Sequence, residues 1–169
     1  MLGKFNHIEI KGIAATVPSY IEENSKFRTI LGERRTKKQI KMTGVSKRHV
    51  CGKYQRTSDL CYSAAIILLK KLKWNKEDIK VMVFITQGPN YELPSTAFFL
   101  HKRLGLSKDC VVFDVNLGCS GFPVGIQIVS SLLQQYSTGG KGLLLLGDTS
   151  SKVLQSKDEL EIDSLTSRM

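Results

Sequence analysis

Three short apolar runs constrain this chain more than any other feature. VMVFIT (81–86), CVVFDV (110–115) and GLLLLG (142–147) carry almost no polar residues. A strand that is apolar on both faces has to be covered on both, which is the condition of a parallel sheet sandwiched by helices. Helical patterns stand between the runs. Thr57, Ser58 and Asp59 supply N-cap candidates, and Asp59 suits the positive end of a helix dipole. Leu60, Ala64, Leu68 and Leu72 then recur every fourth residue, flanked by Cys61, Ala65 and Leu69. Pro94 and Ser95 open a second helix that runs through Leu104 and stops at Gly105. A third helix is predicted from about Ser120 to Tyr136, ended by Gly139 and Gly140. Strand, helix, strand, helix, strand with short links predicts an α/β layered fold.

Ahead of this pattern the sequence is less regular. Residues 6–17 are short, mixed and β-prone, so a strand is predicted there, ended by Pro18. Residues 21–42 read as helical pieces broken at Gly32, and 43–50 as a turn followed by a short strand. The chain has 169 residues, which allows one domain, or one domain and a fragment, and no linker-like stretch divides it. A hydrophobic fraction of 41% and a charged fraction of 24% exclude a disordered or fibrous chain. With 25 Lys and Arg against 15 Asp and Glu, the formal net charge is +10. Such a surface favours acidic partners: nucleic acid, anionic lipid, phosphorylated cofactors or an acidic protein.

No apolar run approaches the ~20 residues of a membrane span, and the first twelve residues lack the apolar core of a signal peptide. The four cysteines, at 51, 61, 110 and 119, form no CxxC spacing, so no metal site is predicted. A reduced, cytoplasmic protein is the expectation.

In α/β folds the reactive groups sit beyond the carboxyl ends of the strands. One such turn stands out: Asp114-Val-Asn-Leu-Gly-Cys119-Ser-Gly-Phe-Pro-Val-Gly. Gly118 permits a tight turn, and Cys119 falls where a helix begins. Unpaired N–H groups there stabilise negative charge, so a thiol loses its proton more easily and the thiolate is the nucleophile. The same groups can hold a carbonyl oxygen as it becomes an oxyanion. Gly121 lacks a side chain beside this position, which is read as room for an acyl thioester. Cys61 and Cys110 lie in packing positions, and Cys51 lies in a loop.

The segment VFDVNLGCSGF closely resembles the nucleophile segment of the β-ketoacyl-acyl carrier protein synthase III family, in the thiolase superfamily. TGVSKRHV (43–50), VMVFITQGPNYELPSTAFFLHKRLG (81–105) and LLLLGDTSSK (143–152) resemble further family segments in the same order. The resemblance implies a thiolase-like layered fold (αβαβα), of which residues 1–169 form the N-terminal βαβαβ half-domain, with the C-terminal half absent. It implies that Cys119 is the catalytic nucleophile, acylated by a thioester. A malonyl unit on acyl carrier protein then loses carbon dioxide and attacks the acyl-cysteine. It also implies substrate contacts at Leu93, Gly121 and Phe122, no cofactor beyond the coenzyme A or carrier-protein thioester substrates, an acyl carrier protein partner and a homodimer in the full-length enzyme.

The departures are specific. The family's catalytic histidine and asparagine belong to its second half, and none of His7, His49 and His101 matches that histidine. The fragment is therefore expected to be incompetent in condensation. Lys38 and Met42 stand where a tryptophan and an arginine grip coenzyme A in well-known members, which makes a carrier-protein donor plausible. The basic run Arg34, Arg35, Lys37, Lys38, Lys41 could meet phosphate or the acidic carrier. Thr86-Gln87-Gly88 has an amide where hydroxymethylglutaryl-coenzyme A synthases place a glutamate base. The competing readings are a non-catalytic thiolase-like interaction subunit and a basic nucleic-acid-binding module, the latter without any recognised motif.

Overall fold

The computed structural model describes residues 5–136 and 139–155, and the chain divides into two compact units. One unit is Met1–Thr16 with Arg56–Asp148; the other is Val17–Gln55 with Thr149–Met169. The sequence reading of 1–169 as one half-domain thus also takes in residues outside the described ones.

The first unit is built on three parallel strands: β3 (Ile79–Ile85), β4 (Val111–Val115) and β5 (Lys141–Leu146), in the order β4-β3-β5. Val83 stands opposite Phe113 on one side and Leu144 on the other. In the central strand, Val81 through Ile85 are all buried. Their side chains alternate, as the two-residue period of a strand requires. Met82 and Phe84 enter the core under α3 (Thr57–Leu72) and α4 (Thr96–Leu104), with Leu69, Leu100, Leu104, Leu143 and Leu145. Val81, Val83 and Ile85 face α5 (Gly121–Leu133), where Val129 is buried. Gly142 sets how closely α5 approaches the sheet: a Cβ there would lie 2.4 Å from Val129 Cγ1.

Three expectations are corrected in this unit. The run 110–115 is not a strand buried on both faces. β4 is an edge strand paired on one side only, so Val111 is 38% exposed and Val112–Val115 are half-buried. Residues 6–17 are not a strand either. A strand exists by its ladder, and no described strand pairs with them. The segment instead lies on α3: Thr16 Oγ1 donates to Leu60 O at 2.6 Å, and Gly12 sits against Leu68 and Leu72. Ile13, on the outward side of the segment, is 74% exposed. The helix start also moves by a residue. Arg56 is the N-cap of α3, and its N–H donates to Asp59 at 2.9 Å.

The second unit holds an antiparallel pair, β1 (Tyr20–Glu23) and β2 (Lys47–Val50), with Tyr20 opposite Val50. Between them run a 3-10 turn (Asn24–Phe27), α1 (Arg28–Leu31) and α2 (Glu33–Thr43). Gly32, at φ +77, makes the break between the two helices, and Gly44, at φ +70, closes α2 in the left-handed conformation that favours glycine. Arg48 pairs with Glu22 across the ladder and stacks 4.3 Å over the Phe27 ring. Chiefly through a hydrogen bond from Lys26, the Glu22 carboxyl is held below its ordinary value. In α6 (Ser150–Gln155), Ser151 Oγ accepts from Cys51 N at 3.1 Å. Among the described residues no helix is long and apolar enough to cross a membrane.

Candidate active site

β4 ends at Val115 and α5 starts at Gly121, and the turn between them carries Cys119. Gly121 N donates to Gly118 O at 2.8 Å and closes that turn around the thiol. Cys119 is exposed, whereas Cys51, Cys61 and Cys110 are buried. Burial, reinforced by the Asp148 charge, pushes the Cys61 thiol up to about 12. Burial likewise pushes the Cys110 thiol up to about 11. Both stay protonated and shielded at neutral pH, so only a thiol such as Cys119 is open to an incoming electrophile.

The helix end beside Cys119 is free. Ser120, the N-cap, makes no side-chain capping bond, and the first turn of α5 holds no acidic residue. No described residue accepts a hydrogen bond from the amides of Cys119, Ser120 or Phe122. Unsatisfied amides at a helix start carry partial positive charge and can receive an oxyanion.

The neighbouring strand ends are tied together. Thr86 N donates to Val115 O at 3.2 Å, and Gly147 N donates to Ile85 O at 3.1 Å. Asp148 Oδ1 accepts from both Thr86 Oγ1 and Gln87 N at 2.8 Å. The Gln87 side chain lies against the nucleophile turn, since a Cβ on Gly118 would stand 3.0 Å from Gln87 Cδ and Oε1. One carboxylate, Asp148, therefore fixes the polar residue that covers the turn.

The other expected site residues divide. Phe122, in the first turn of α5, is 50% exposed beside Cys119 in sequence. Leu93 lies on the loop between β3 and α4 and is 89% exposed. Gly121 is buried, and a Cβ there would lie 2.8 Å from Ile85 Cγ2. Its missing side chain lets α5 pack closely on β3. Lys38 and Met42 are both exposed on α2, in the second unit, as are Arg34, Lys37 and Lys41. Lys37 is paired with Glu33 at 2.8 Å. Among the described residues no group of three or more His, Cys, Asp or Glu converges as metal ligands would.

Besides Asp148, two further roles emerge only from the structure. Asp114, late in β4, accepts from Thr96 N and Ala97 N at 2.6 Å each, and so caps α4 from another element. A carboxylate in an apolar strand needs such donors, and that was the available signal. Asn90 is bonded on all sides within the β3–α4 loop, and nothing in its local sequence marks it.

No protein-family model matches the chain. Its curated relatives are consistent with one another. A putative 3-oxoacyl-[acyl-carrier-protein] synthase 3 from Campylobacter jejuni is 34% identical over 94% of this chain and 45% of its own length. A β-ketoacyl-[acyl-carrier-protein] synthase III from Levilactobacillus brevis is 33% identical over 92% of this chain and 46% of its own length. The chain thus spans about half the length of the curated relatives it matches. Among solved structures, a 3-oxoacyl-(acyl-carrier protein) synthase from Burkholderia xenovorans superposes with a TM-score of 0.74 at 35% identity, covering 83% of this chain and 41% of that one. An OleA variant from Xanthomonas campestris, at 22% identity, shares the fold with a TM-score of 0.79, covering 95% of this chain and 53% of that one. With its three-stranded parallel sheet, its covering helices and its cysteine turn, the chain is a part-length, thiolase-like member of the β-ketoacyl-acyl carrier protein synthase III family, matching the N-terminal half of its relatives.

Proposed function

We propose that Cys119 is the acyl-accepting nucleophile of an initiating 3-oxoacyl-acyl carrier protein synthase. The observation that carries this reading is an exposed thiol in the β4–α5 turn, beside helix amides for which no described residue is an acceptor. The Cys119 thiolate attacks a thioester carbonyl. The carbonyl carbon gains a bond to Cys119 Sγ and loses its bond to the carrier sulfur, and the carrier leaves as its thiol. The amides of the turn are donors of the right kind for the oxyanion formed on the way. In the second half-reaction, malonyl on acyl carrier protein loses carbon dioxide. The resulting carbanion forms a carbon–carbon bond to the acyl group and releases Cys119. Splitting one transfer into two in this way is covalent catalysis.

This chain's own residues support the first half-reaction. One ring nitrogen of each of two histidines is engaged with a backbone carbonyl: His101 Nε2 with Ser107 O at 2.8 Å, and His49 Nδ1 with Pro18 O. On this reading condensation needs the histidine and asparagine of a second half, and the chain alone accepts an acyl group without condensing it. Leu93 and Phe122 contact the acyl chain. The basic face of α2 meets an acidic carrier protein in the reduced cytoplasm, and the complete enzyme is a homodimer.

Intact mass spectrometry after incubation with acetyl and butyryl thioesters tests this. The expected result is one acyl adduct on the wild type and none on Cys119→Ser. An adduct that persists in Cys119→Ser, or no adduct on either protein, sinks the assignment and leaves the reading of a non-catalytic interaction subunit.

A further inference from the structure

The loop between β3 and α4 carries Tyr91 and Leu93 on an exposed tip, and Asn90 ties that tip to the starts of α3 and α4. Every polar group of Asn90 is used. Its N–H donates to Thr96 Oγ1 at 2.9 Å, across six residues, and closes the base of the loop. Its carbonyl accepts from Arg56 Nη1 at 3.1 Å. Its side-chain amide exchanges hydrogen bonds with the Ser58 hydroxyl, Nδ2 donating at 2.8 Å and Oδ1 accepting at 3.1 Å. Ser58 and Thr96 are buried, so these partners belong to the rigid starts of α3 and α4. Asp114 holds the start of α4 through its two amide bonds, so the frame that grips Asn90 is itself anchored to the strand leading into the Cys119 turn.

Beyond Asn90 the tip makes few attachments. Tyr91 lies 5.2 Å from the Arg56 guanidinium and 5.3 Å from the Phe99 ring. Leu93 projects into solvent. A side chain exposed to that degree gains nothing from packing on its own chain, so where it points is decided by the base of the loop. A substrate-facing group has to be held to within about half an ångström, and that precision comes from the residues that support it.

We infer that Asn90 is a positioning residue that sets the acyl-chain selectivity of Cys119 by fixing the loop that presents Leu93. This rests on the reading of Cys119 as the acyl acceptor and Leu93 as an acyl-chain contact. Asn90 does not touch the reacting atoms, so it governs which chain is accepted and leaves the thiol's own reactivity alone.

The test compares wild type, Asn90→Ala, Ser58→Ala and Leu93→Ala in single-turnover acylation by acetyl, butyryl and octanoyl acyl carrier protein, read by intact mass. The rate of Cys119 alkylation by iodoacetamide is measured alongside. The expected result is a change of about fivefold or more in the octanoyl-to-acetyl rate ratio for both Asn90→Ala and Ser58→Ala, in the same direction as for Leu93→Ala, since two hydrogen bonds of ordinary strength are lost. Alkylation stays within about twofold of wild type, because the amides beside the thiol are untouched. A merely structural role lowers all three acylation rates and alkylation together and leaves the ratio unchanged; that outcome overturns the inference while the acyl-acceptor reading survives. If the wild type takes no acyl group from any of the three donors, both fall. Should Asn90→Ala fail to fold, Ser58→Ala decides alone, by the same ratio.

Discussion

The two faces of the three-stranded sheet are packed to different degrees. Under α3 and α4 the core is closed, and residues such as Met82, Phe84, Leu100 and Leu104 have essentially no exposure. Under α5 the buried core side chains among the described residues are Val81, Val83, Ile85 and Val129. Around them Phe113, Val115, Leu117, Ile128, Leu132, Leu133 and Leu144 are packed but half-open. Two helices seal one face, and a single helix leaves the other unfinished. The hydrophobic effect scales with the area removed from water, so the closed face carries most of this unit's stability. The open face carries the Cys119 turn. The candidate site therefore lies on the less completely packed face, and the strand ends beside it are tied by Asp148 and by the hydrogen bonds between them.

Cavities in the two faces should differ most. Phe84→Ala removes a fully buried ring from the closed core and is expected to cost about 3–5 kcal/mol. Ile128→Ala removes a half-buried side chain and is expected to cost no more than about half as much. Urea unfolding of each variant measures both. Equal losses would mean that the face under α5 is as complete as the other, and would dissolve the contrast.

Overpacking sharpens the picture within the open face. Gly142→Ala would place a methyl 2.4 Å from Val129 Cγ1, a buried β-branched side chain with little rotamer freedom. Gly125→Ala would place one 2.7 Å from Leu144 Cδ1 and 2.8 Å from Ile85 Cδ1. Leu144 is half-buried and can turn away. The first is expected to cost about 3 kcal/mol and the second about 1 kcal/mol, the two ends of the usual overpacking range. The same unfolding measurement checks the order, and a reversed order would show that Leu144 is held as firmly as Val129.

Much of this was legible in the sequence, for reasons that can be named. The two-faced apolar run at 81–86 could satisfy itself only between helices, and it became the central strand. Leu60, Leu68 and Leu72 declared their helix through periodicity. The edge position of β4 was not legible, because CVVFDV is as apolar as a central strand and burial is set by neighbours distant in sequence. The segment 6–17 had strand composition, but composition does not supply a partner, and the chain laid it on α3 instead. The place of Cys119 at a strand-to-helix turn followed from Gly118 and the runs on either side. The packing role of Gly121 did not, since the direction of a missing Cβ exists only in three dimensions. Asp148 and Asn90 act across 32 to 62 residues, beyond the reach of any local pattern, whereas Asp114, a carboxylate in an apolar strand, signalled a need for donors but not that α4 supplies them.

The finest distinction between the faces lies in the pH dependence of stability. Cys61 is part of the closed core, where burial raises its thiol from an ordinary 9.0 to about 12. The folded state therefore holds its proton where the unfolded chain would release it. A group whose folded value is raised contributes stability that is fully present below its unfolded value and is lost as the pH climbs through the folded one. The window runs from about pH 9 to about pH 12. Comparison with Cys61→Ala isolates the effect from lysines and tyrosines that titrate in the same range. The difference in unfolding free energy between wild type and Cys61→Ala should stay constant up to about pH 9 and then move steadily against the wild type. If the two proteins lose stability in parallel above pH 9, Cys61 ionises as readily folded as unfolded. The core under α3 would then admit water as freely as the surface that carries Cys119.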